Sequence, residues 1–106
     1  MTFDNFLEWL KLNINEPVKF DTSGKRSQFI AIFHEATSSI EITNSKGNVG
    51  LLNKEILRKI FQRYSDAPPN KRDMTGYWTP PKWPDTPNMI FAPYVPAIIR
   101  DFLQSL

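Results

Sequence analysis

The sequence predicts an α+β domain in which a three-stranded antiparallel sheet is covered by three helices, in the order α-β-β-β-α-loop-α. Three observations predict it. Apolar residues recur at helical spacing near the start, in the middle and at the end of the chain. Between the first two of these segments the period drops to two, over short runs separated by turn residues. The chain has 106 residues, 41% of them hydrophobic, which is material for one core and one domain over residues 1–106.

Phe3, Phe6, Leu7, Leu10 and Ile14 fall on one arc of a helical wheel, with Asp4, Glu8 and Lys11 opposite, so a helix is predicted over 3–13. Thr2 is its expected N-cap, and Asn15-Glu16-Pro17 its stop. Val18 and Phe20 then alternate with Lys19 and Asp21 before the turn residues Thr22-Ser23-Gly24-Lys25. "QFIAIFHEA" is rich in β-formers and apolar on both faces, as a central strand over 28–35 would be. In "SIEITNS", Ile40 and Ile42 face one way and Glu41 and Thr43 the other. The connections are too short for crossovers, so the strands form an antiparallel meander.

"LLNKEILRKIFQRYSD" carries a clear helical pattern, with Ile56, Leu57, Ile60, Phe61 and Tyr64 on one arc and Asn53 as N-cap. Eight of the nine prolines lie between Asp66 and Pro96, which excludes regular structure over most of 66–93 and leaves room only for a short fourth strand near Met89 to Phe91. In "YVPAIIRDFLQSL", Val95, Ile98, Ile99, Phe102, Leu103 and Leu106 share a face, and Pro96 sits where a first helical turn accepts it. This is the expected closing helix.

The absence of cysteine excludes disulfides, thiolate metal sites and cysteine nucleophiles. The N-terminal segment lacks the basic region and cleavage site of a signal peptide, and no apolar run approaches the ~20 residues of a membrane span. A cytoplasmic protein with no membrane partner is expected. No glycine-rich phosphate loop, nucleophile elbow or metal-ligand spacing occurs, so no cofactor and no catalytic or metal residue is assigned. His34 is the only histidine; its chain neighbour Glu35 points to the opposite face of a strand, so that pair cannot act together. An enzyme with a site dispersed along the chain is the third-ranked function.

Two features carry functional readings. The first is the aromatic-proline stretch, where Tyr77, Trp78, Trp83, Phe91 and Tyr94 are interleaved with prolines in and after "GYWTPPKWP". Aromatics of this kind anchor protein interfaces, so a non-enzymatic module binding a protein partner, or its own second copy as a homodimer, is the leading function. The competing structural role is a stiffened cover whose rings pack on the core. The second feature is charge: net charge is only +2, but Lys46 to Arg72 holds seven bases against two acids. Lys46, Lys54, Arg58, Lys59, Arg63, Lys71 and Arg72 make nucleic-acid binding through the helix 54–63 the alternative, set against the ordinary display of bases on a solvated helix.

Overall fold

The computed structural model describes residues 2–21, 27–71 and 94–106. Among these the order is α1 (Phe3–Asn13), β1 (Val18–Asp21), β2 (Gln28–His34), β3 (Ser39–Asn44), β4 (Val49–Leu52), α2 (Lys54–Asp66), a 3-10 turn (Pro69–Lys71) and α3 (Val95–Gln104). The α+β architecture is as expected, with three α-helices and an antiparallel sheet of order β1-β2-β3-β4. The fourth strand, however, is Val49–Leu52, where the sequence reading assigned no strand. The Met89 to Phe91 strand lies outside the described residues.

Both predicted caps form. The Thr2 hydroxyl accepts from the Asn5 amide at 3.1 Å, and the Asn53 side-chain carbonyl accepts from Ile56 at 3.0 Å, each satisfying a donor that the first turn leaves over. α1 ends where the Ile14 carbonyl turns to accept the Phe33 amide at 2.7 Å, which ties the helix exit to β2. The β3–β4 hairpin turns on Gly47, at φ +84°, a left-handed conformation that costs other residues a Cβ clash. Asn44 holds this turn with its side-chain oxygen, which accepts from the Lys46 and Asn48 amides at 3.0 Å each.

Register fixes the two faces of the sheet. Phe20 lies opposite Phe29, Ala31 opposite Ile42, Phe33 opposite Ile40 and Ile40 opposite Leu52, and all of these are buried beneath the helices. The apolar arcs of α1, α2 and α3 meet this face in one continuous cluster. Phe6 is fully buried at its centre, its ring 5.3 Å from both Phe61 of α2 and Phe102 of α3. One aromatic side chain thereby joins all three helices, which fixes their docking on a single side of the sheet.

Candidate functional site

Because side chains alternate along a strand, burying one set commits the other set to the opposite face. That set is Lys19 and Asp21 on β1, Gln28, Ile30, Ile32 and His34 on β2, Ser39, Glu41 and Thr43 on β3, and Val49 and Leu51 on β4, and of these Ser39, at the His34 end, is buried. Among the described residues no helix covers it. Ile30 exposes 40% of its surface, Val49 59% and Leu51 46%, while Ile32 is half-buried between its neighbours. The register aligns these side chains in two rows across the sheet: Lys19, Ile30, Thr43 and Val49 in one, Ile32, Glu41 and Leu51 in the next. An antiparallel sheet that faces water normally presents polar residues there. This one presents four aliphatic side chains, with Thr43 and Glu41 between them.

The rim of the face is polar. His34 and Glu41 are diagonal neighbours, with Nε2 and Oε1 3.5 Å apart, so the histidine's carboxylate neighbour comes from the adjacent strand and not from Glu35. Glu35 instead pairs with Lys11 of α1 at 3.0 Å, an ion pair that raises the Lys11 pKa above its ordinary value. Ser39, directly opposite His34, is buried and donates its hydroxyl to the Thr37 carbonyl at 3.2 Å. With its proton directed there, Ser39 does not complete a serine–histidine–carboxylate relay. No cluster of three potential metal ligands occurs among the described residues.

The basic residues do not form one strip. At about 100° per residue, Lys54 and Arg58 fall on one flank of α2 and Lys59 and Arg63 on the other, with Glu55, Gln62 and Asp66 along the outward line between them. Arg58 is further engaged: Nη1 lies 2.9 Å from Glu55 Oε1, and the guanidinium sits 5.4 Å from the Phe3 ring centre. Arg63 is half-buried. Lys46 lies in the β3–β4 turn and Lys71 ends the 3-10 turn, while Arg72 lies outside the described residues.

Of the aromatic-proline candidates, Tyr77, Trp78, Trp83 and Phe91 lie outside the described residues. Tyr94 is described, and it packs on the core, its ring 5.0 Å from that of Phe29 on the covered side of the sheet. The open face was the feature that sequence reasoning did not single out. Its signal was present in "QFIAIFHEA": apolar residues at consecutive positions of one strand require cover on two sides, and the helices supply it on one.

Among the described residues no helix is long and apolar enough to cross a membrane. Comparison with protein-family models, with curated proteins and with solved structures finds no match, so the functional reading rests on the geometry of this chain alone.

Proposed function

We propose that the protein is a non-enzymatic protein-interaction module whose docking surface is the open face of the sheet. The observation that supports this reading is the pair of rows carrying Ile30, Ile32, Val49 and Leu51 on the face away from the helices. Two pairs of aliphatic side chains on one uncovered sheet face, flanking Thr43 and Glu41, make the mixed apolar and polar surface of an interaction site, whereas single exposed aliphatics need no explanation. The surface suits a protein partner with an apolar, weakly charged face. Among the described residues of this face a phosphate backbone would meet Lys19 as its one Lys or Arg, against Asp21 and Glu41.

The test is position-dependent photocrosslinking in cells that express the full chain. A benzophenone amino acid at position 49 should give a protein adduct, and the same group at position 59 on α2 should not. The adduct at position 49 should disappear when Ile30→Glu is added. Equal labelling at both positions, or none at position 49, overturns the reading.

A further inference from the structure

We infer that the occupant of the open face is a second copy of this chain, stacked face to face about a two-fold axis that runs across the strands between the two rows. The inference rests on the reading of that face as a docking surface and goes beyond it by naming the partner. A two-fold interface must be complementary to itself. Each of the two in-plane axes parallel or perpendicular to the strands can be tested against the register. An axis along the strands midway between β2 and β3 would place Ile30 on Thr43 and Ile32 on Glu41, apolar against polar, and one along β3 would stack the Glu41 carboxylate on its own copy, like charge on like charge. The axis across the strands sets each strand over its own counterpart with the rows exchanged. Ile30 then meets Ile32, Val49 meets Leu51, and the Thr43 hydroxyl meets the Glu41 carboxylate, to which it can donate a hydrogen bond. At the rim His34 comes opposite Gln28. Across β2 to β4 apolar groups meet apolar groups and the polar ones find donors or acceptors.

Charge and area agree with this arrangement. Lys19 stands against Asp21 and Glu41 on the face, so two copies approach with little net repulsion. Strands of 4, 7, 6 and 4 residues at about 3.3 Å per residue, spaced about 4.8 Å apart, present roughly 330 Å² in projection. Side-chain relief raises this toward the ~600 Å² per partner at the lower end of specific interfaces, which fits a weak, reversible dimer. Sheets so stacked pack about 10 Å apart, with their strands turned by about 30° by the twist of each sheet.

Sedimentation equilibrium of the purified chain, from about 2 to about 200 µM, tests the inference. The expected result is a reversible transition from the 12.3 kDa chain to twice that mass. Ile30→Glu with Val49→Glu should weaken the dimer at least about 100-fold, because each carboxylate would be buried against an apolar side chain. The milder pair Ile30→Thr with Val49→Thr keeps β-branched residues and should weaken it about 10-fold or more, which covers the case in which the charged pair impairs folding. A monomer throughout the range overturns the inference, and so does a dimer that either folded pair leaves unchanged. The two readings fail separately. A monomeric chain that still gives a foreign-protein adduct at position 49 removes the homodimer and keeps the docking face, while loss of all adducts at that position removes both.

Discussion

Phe6→Ala should be the most damaging single truncation in the helical layer, and Ile30→Ala, a truncation of similar chemistry on the opposite face of the sheet, should be nearly silent in the monomer. Phe6 is fully buried, with the rings of Phe61 and Phe102 each 5.3 Å away and that of Phe3 at 6.4 Å. Losing the burial of a Phe side chain costs about 2–3 kcal/mol. A residual cavity of order 50–100 Å³ adds roughly 1–2 kcal/mol at ~24 cal/mol per Å³, for a total near 4 kcal/mol, within the ~3–5 range of such truncations. A domain of this size has only about 5–15 kcal/mol to lose. The assay is urea unfolding followed by tryptophan fluorescence, at a concentration low enough that association does not add to the apparent stability. Trp9 packs 5.8 Å from Phe102 and reports on this layer. Ile30→Ala should shift stability by less than about 1 kcal/mol, since the side chain is already 40% exposed. The reasoning is refuted if the two variants cost the same, because the sheet would then be covered equally on both faces.

Other expectations follow from single contacts. Asn53→Ala removes the acceptor of the Ile56 amide and should cost about 1 kcal/mol in urea unfolding, while Asn53→Asp should retain most of it. Gly47→Ala places a Cβ at φ +84° and should destabilise by about 1 kcal/mol, although nothing lies within 4 Å of that Cβ, so the cost is backbone strain alone. Ser38 occupies φ 51° in the β2–β3 turn, and Ser38→Gly should change stability in the opposite sense, by about 0.5 kcal/mol after the entropy of glycine in the unfolded chain is counted. Lys11, with its pKa raised by Glu35 first and Glu8 second, contributes stability that is fully present below the unfolded value of 10.5 and is lost as pH rises through the higher folded value. Urea midpoints across that alkaline range should fall more in the wild-type chain than in Glu35→Gln; parallel curves would show that the pair contributes nothing.

The elements were legible wherever burial is periodic along the chain. α1, α2 and α3 each bury one arc, and Phe6, Leu10, Ile60 and Phe102 are buried as those arcs predict, whereas Leu106, beyond the end of α3, is 78% exposed. β4 was missed for a physical reason: Val49–Leu52 is only four residues between the Asn44–Asn48 turn and the Asn53 cap, too few for an alternating pattern to stand out. The alternation shows only when β3 supplies a register, with Leu52 opposite Ile40 on the covered face and Leu51 opposite Glu41 on the open one. The open face was legible only on β2, since its other two aliphatics, Val49 and Leu51, sit on that strand. The flanking of α2 by its bases could be read from spacing alone, but the engagement of Arg58 by Glu55 and Phe3 needed the fold that brings α1 alongside.

The strongest objection to an interaction face is that strands favour Ile and Val on any surface, because β-branched side chains fit a pleated backbone. Two features go beyond propensity. Leu51 is not β-branched, so strand preference does not select it at an exposed position. Threonine would also satisfy the backbone without exposing a fully apolar side chain, as Thr43 does in the middle of the same row. β1, on the same face, carries Lys19 and Asp21, so this chain places polar residues on its open side where nothing else is required. Confinement of the aliphatics to β2 and β4, in adjacent rows that match each other when exchanged, is what a self-complementary surface needs and what propensity alone does not produce. The two explanations differ in one measurable quantity. If propensity alone selects these residues, Ile30→Thr with Val49→Thr leaves the thermal midpoint unchanged at every protein concentration. If the face is an interface, the wild-type midpoint rises with concentration by mass action and that of the variant rises less.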